Sequence, residues 1–134
     1  MKNILVAFFL LVSFVSKGQN SRTYQFGQHT LIGKVILKNL RHPITDKIIK
    51  NAMVFVLPKP VKFVVGPKDE EGYDVTTREI RIYGDLDKNV DPNVKYKNLI
   101  GKKVAITADY VFAPSGNYPL LVNIIEDFTY KILK

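Results

Sequence analysis

The sequence predicts an all-β domain with one short helix, folded as a five-stranded Greek-key barrel of the OB type. Three observations lead to that class. Apolar and polar residues alternate with a period of two along most of residues 30–134, the spacing of half-buried strands. Segments rich in Gly, Pro, Asn and Asp separate those stretches. A single helix-compatible stretch falls between the third and fourth strand regions, where an OB barrel carries its helix.

The first predicted strand is Thr30–Leu40, with Leu31, Val35 and Leu37 on one face and Lys34, Ile36 and Lys38 on the other. Gly33 in mid-strand predicts a bulge or a close backbone approach. Residues 41–51 read as a loop, with Pro43 imposing an extended or turn geometry. Met53–Leu57 is a short apolar strand. Pro58-Lys59-Pro60 breaks it, since neither proline can donate to a ladder, and Val61–Val65 resumes it. Residues 66–74 form an acidic, turn-rich loop. The stretch 76–83 alternates again, Arg78, Ile80 and Ile82 against Thr77, Glu79, Arg81 and Tyr83. Asn93–Ile100 predicts a two-turn helix with Val94, Tyr96 and Leu99 inward and Gly101 as its stop. Lys103–Phe112 is a strand with Val104, Ile106, Ala108, Tyr110 and Phe112 on one face. After a turn at 113–119, Leu120–Leu133 is a final strand. Leu120, Val122, Ile124, Phe128, Tyr130 and Ile132 face inward, and a bulge or bend falls near Glu126 and Asp127.

Three segments organise the chain: a signal peptide at 1–18, an N-terminal arm at 19–29 and the barrel domain at 30–134. Lys2 precedes an apolar run from Ile4 to Val15. Ser16 and Gly18 then put small residues where a signal peptidase reads, with Gln19 as the new N-terminus. The run is shorter than the roughly 20 apolar residues that span a bilayer. The expected location is periplasmic or secreted, with no stable membrane insertion after cleavage. In the arm, Tyr24 and Phe26 alternate as a strand would. The absence of cysteine excludes disulfides, thiol catalysis, zinc–thiolate sites and a lipid-bearing lipobox. The formal net charge of +8 favours solubility and attraction to anionic surfaces. An exported chain meets lipid headgroups, envelope polysaccharides and acidic proteins rather than nucleic acid, so nucleic acid is not the expected partner.

The block from Tyr96 to Val122, with Leu99-Ile-Gly101-Lys102-Lys-Val104, Phe112-Ala113 and Leu120-Leu-Val122, is similar to a family of small exported bacterial OB-like domains of unknown function. Glu79-Ile-Arg-Ile82 resembles that family's third strand, so the resemblance spans about residues 79–124. It implies fold and export and adds no reaction. The family's turn carries paired histidines, where this chain has Asn117 and Tyr118 followed by Pro119. The family often has a cysteine near the end of its second strand, where this chain has Pro60-Val61-Lys62-Phe63. Activities that depend on those groups are not implied.

Asp85, Asp87, Asn89 and Asp91 place oxygen ligands at every second position, as a calcium loop does. The turn glycine of such a loop falls on Val90 and its closing glutamate on Tyr96, so an ordinary Asp/Asn loop with a helix N-cap is the preferred reading. Asp69, Glu70, Glu71 and Asp74 offer carboxylates for a hydrolase of envelope polymers. Neighbours on one loop, however, are badly placed to act across a bond. His29 and His42 lack the companions of a triad or a metal site, and Ser115-Gly116 lacks a nucleophile elbow. No catalytic residue, metal or cofactor is expected. An OB barrel binds along its second and third strands and the bordering loops. On this chain that points to Glu79, Arg81 and Tyr83, Arg41 and Lys47 in the first loop, and Tyr118 in the last. The expectation is an exported, non-catalytic binding module whose partner is an envelope component or another exported protein. A small hydrolase and a single-stranded nucleic-acid binder are the alternatives.

Overall fold

A change of partner along one long strand organises the chain. The computed structural model describes residues 22–42, 44–66, 73–83, 90–113, 122–124 and 128–134; the predicted leader lies outside them. Strand β1 is Arg22–Gln25, β2 is Gly27–Arg41, β3 is Ile48–Val64 and β4 is Val75–Ile82. A short helix α1 (Pro92–Lys95) and a 3-10 turn (Lys97–Leu99) follow, then β5 (Lys103–Val111), β6 (Val122–Ile124) and β7 (Phe128–Ile132). The strands join in one sheet in the order β6-β4-β3-β2-β5-β7, with β1 added alongside β3. Among the described residues the protein is thus mostly β with one short helix, and its sheet has seven strands on a path that does not close, where the sequence predicts a barrel of five. One extra strand comes from the arm. The other comes from the final stretch, whose described residues form both β6 and β7; the bulge or bend expected near Glu126 and Asp127 lies outside the described residues. Among the described residues no helix is long and apolar enough to cross a membrane.

Strand β2 pairs with β5 from Gly27 to Lys34 and with β3 from Lys34 to Arg41. Gly33 sits where it changes partner. A Cβ there would lie 2.5 Å from the Val56 carbonyl oxygen and 2.9 Å from the Phe55 ring, so only glycine lets the two strands approach. The inner face carries the core, including Val35, Met53, Phe55, Phe63, Ile80, Ile82, Leu99, Val104, Ile106 and Ile124.

Irregularities in the ladders move several residues from their expected faces. Between Gly27 and His29 of β2, β5 advances from Val111 to Ala108, so it carries an extra residue. Alternation slips there: Val111 is buried, while Tyr110 and Phe112 are only partly so, against the expectation that both face inward. A second bulge spans Lys38–Leu40 of β2 and Ile49–Ala52 of β3. Asn51 takes a left-handed conformation (φ 53°) and its N–H donates to Asn39 Oδ1. The bulge sets Ile49 on the same face as Ala52, and residues 48–51 continue β3 instead of forming loop. Leu40, Ala52 and Val54 form a second apolar cluster on the outer face, with Ile36, Ile49 and Val56 packed against it. Ile36 therefore packs where solvent was expected, and Leu37, near the sheet rim, is exposed. Pro58 and Pro60 bulge β3 away from β4 without ending it, as the register shift between Val56 and Val61 records.

The expected two-turn helix is one α-turn followed by a 3-10 turn. Asp91 caps it, its Oδ1 accepting from the Asn93 N–H, and Gly101 (φ 80°) ends the segment. Tyr96 and Leu99 are buried as expected, but Val94 is exposed. On β7, Phe128 stacks on Tyr96 at 4.4 Å and is buried, whereas Tyr130 and Ile132 lie at the sheet end and are exposed.

Candidate functional site

Side chains alternate across a strand. On β4 and β6, Ile80, Ile82, Val122 and Ile124 enter the core, so Arg81 and Asn123 lie on the outer face. Registers extend that face into a row. Val54 of β3 stands opposite Arg81, Arg81 opposite Asn123, and Asn123 bridges to Phe112 just beyond β5. Arg81 Nη1 donates to Tyr83 Oη at 2.6 Å, and the guanidinium carbon is 4.1 Å from the centre of the Tyr83 ring. A cation over an aromatic face is worth about 0.5–1 kcal/mol at a partly exposed site. It also fixes a side chain that is otherwise rich in rotamers. Beside this pair runs a groove of about 360 Å³, lined by Ile49, Ala52, Arg81, Tyr83, Asp91 and Asn93 among others. The Asn93 amide donates to the Asn51 carbonyl at 2.7 Å and ties the helix start to the bulge that forms one wall.

Asn123 was not among the residues singled out from sequence. It is fully buried, and among the described residues neither Oδ1 nor Nδ2 has a hydrogen-bond partner. An orphaned buried amide costs about 1–3 kcal/mol. A signal was present: Asn123 is the sole polar residue within the apolar run from Leu120 to Ile125. Its pairing with Arg81 depends on a parallel contact between distant strands, which no local pattern reveals.

The other expected site residues do not gather around Arg81. Arg41 pairs with Asp46 at 2.8 Å at the tip of the β2–β3 hairpin, with side chains 62% and 77% exposed. Arg41 stands opposite Ile48 and Arg81 opposite Val54, so roughly 20 Å of strand separates them. Lys47 lies in the same hairpin loop, and its carbonyl accepts from the His42 N–H. Glu79 is engaged by Lys38 of β2 in an ion pair across β3. Tyr118 lies outside the described residues, as do Asp85, Asp87, Asn89, Asp69, Glu70, Glu71 and Ser115.

Asp91 serves as the helix cap. Asp74 accepts from the Val65 N–H at 2.9 Å and closes the β3–β4 connection. His42 Nδ1 accepts from the Ile44 and Thr45 N–H groups and so shapes the hairpin turn. His29 packs its ring 4.9 Å from that of Tyr24. Among the described residues no three His, Asp or Glu side chains converge as a metal ion requires. No family model matches this chain, and no curated protein or solved structure matches it.

Proposed function

We propose that this chain is an exported, non-catalytic binding module of the bacterial envelope that holds its partner on the outer face of β3, β4 and β6. One observation carries the reading: Arg81, held on Tyr83 by a hydrogen bond and a ring contact, lines an open groove of about 360 Å³ on this face. A fixed cation beside an aromatic ring suits a partner bearing carboxylate or hydroxyl groups, such as an envelope polymer or a polar segment of another exported protein. Export is supported by the leader-like segment 1–18.

The OB-like barrel is supported by the way the strand path ends. Its terminal strands, β6 and β7, are successive in the chain, and Phe112 bridges to Asn123. Counting β6 and β7 together as the final strand, and β1 as an addition, leaves the five strands of such a barrel.

The test is an affinity pull-down from envelope extract with the purified chain and its Arg81→Ala/Tyr83→Ala variant, at low and moderate salt. The expected result is one dominant, salt-tolerant partner that the variant loses. Diffuse, salt-sensitive capture that is equal for both chains overturns the reading.

A further inference from the structure

Strands β1 and β2 leave the turn at Phe26 as the two arms of a V. β1 runs parallel to β3, with Arg22 opposite Val61 and Gln25 opposite Val64. β2 runs antiparallel to β3 but pairs with it only from Lys34 onward; over Gly27–Gly33 its partner is β5. The apex is held by the Tyr24–His29 ring contact and by the His29 Nε2 contact with the Gln25 carbonyl. Every strand has two hydrogen-bonding edges. Among the described residues, the β1 edge turned away from β3 has no ladder partner. Neither has the edge of β2 turned away from β5 over His29–Ile32.

Both edges border a cleft of about 480 Å³, lined by Arg22 and Tyr24 of β1, Thr30 and Ile32 of β2, and Pro58 and Lys59 of the β3 bulge. With a rise of about 3.3 Å per residue, strands 4.8 Å apart and layers about 10 Å thick, that space fits about three residues of extended chain. Ile32 is 48% exposed beside it. The cleft continues past Ile32 and Pro58 into a shallower groove bordered by Lys34, Arg78 and Lys103. Among the described lining residues of both there is no carboxylate to balance these five cations.

We propose that this cleft is a strand-acceptor site. An extended acidic segment of a partner protein, with apolar side chains at alternate positions, enters between β1 and β2. Its backbone completes both ladders, in the order β3-β1-segment-β2-β5. Its carboxylates, on one face, meet Arg22 and Lys59, and its apolar side chains, on the other, cover Ile32. Paired backbone edges supply donors and acceptors at strand spacing, which an acyl chain of an anionic lipid has no means to use. The site shares no residue with the Arg81–Tyr83 row, so the two proposals stand or fall separately.

Fluorescence anisotropy tests it, with a labelled peptide of alternating valine and glutamate titrated with the purified chain. Saturable binding is expected, at least tenfold weaker for Arg22→Glu/Lys59→Glu and unchanged for Lys131→Ala, which removes an exposed cation of β7 outside the cleft. Both charge-reversed positions are exposed, and an unchanged melting temperature for that variant confirms that its fold is intact. Single backbone N-methylations of the peptide then report the geometry. A chain held on both sides weakens on methylation at consecutive central residues, because successive N–H groups point to opposite edges. Weakening at alternate residues only means that a single edge is used, and indifference to methylation means charge alone; either overturns the proposal. So does absence of peptide binding by a chain that binds phosphatidylglycerol vesicles.

Discussion

Arg41 and Arg81 are arginines on strands that flank β3, and they differ in what lies around the charge. Arg41 reaches across a hairpin tip to Asp46, and both side chains are largely in water. Arg81 is half-buried in a row that crosses β3, β4 and β6, between Val54 and Asn123, which are both fully buried. Tyr83 holds its guanidinium from one side. The hairpin pair is screened and contributes little. The β4 arginine is fixed by the sheet itself, and a ligand that meets it pays little to order it. A cation marks a binding position when rigid neighbours fix it, whatever its prominence in the sequence.

Three experiments sharpen that contrast. The largest effect is expected from Gly33→Ala, which attacks the sheet that supports Arg81. Its new methyl meets a backbone carbonyl and the Phe55 ring, neither free to withdraw. Overpacking of this kind costs about 1–3 kcal/mol. Urea melts should show a lower midpoint, and an unchanged midpoint would mean that β2 and β3 are not so close in solution.

Asn123→Leu should act in the opposite sense. Replacing an orphaned buried amide with an apolar side chain of similar size is expected to stabilise the fold by about 1–2 kcal/mol. A lower melting temperature would show that the amide is satisfied in solution and that the row is purely structural. The smallest effect belongs to the hairpin. A double-mutant cycle of Arg41→Ala and Asp46→Ala should give a coupling below about 1 kcal/mol, falling further with added salt. A larger, salt-insensitive coupling would place the hairpin tip on the same footing as the Arg81 row.

Much of the fold was legible locally. Alternation located most strands, and local turn and capping chemistry pointed to the helical stretch, its cap and the special status of Gly33. It misassigned Leu37, Tyr110, Phe112, Tyr130 and Ile132, because a period-two pattern carries forward only until a bulge adds a residue or the sheet ends. At the candidate site, Arg81 and Tyr83 were legible together since they are two residues apart on one strand face. Arg41 and Lys47 were attached to them by analogy with barrel loops, and the hairpin's length along β3 carries them away. Asn123 escaped notice because its significance lies in burial and in the strand beside it.

The sequence by itself determined the β-rich class, the positions of most strands and the glycine at the partner exchange of β2. These depend on side-chain periodicity and on the local conformational demands of glycine, proline and capping residues. Only the tertiary structure decided that β2 divides its edges between β3 and β5, that an apolar cluster lies on the outer face, and that Arg81 meets Asn123. Those outcomes depend on register between strands distant in the chain. Register is set by the packing of the whole sheet, and a one-residue shift exchanges which face every side chain occupies.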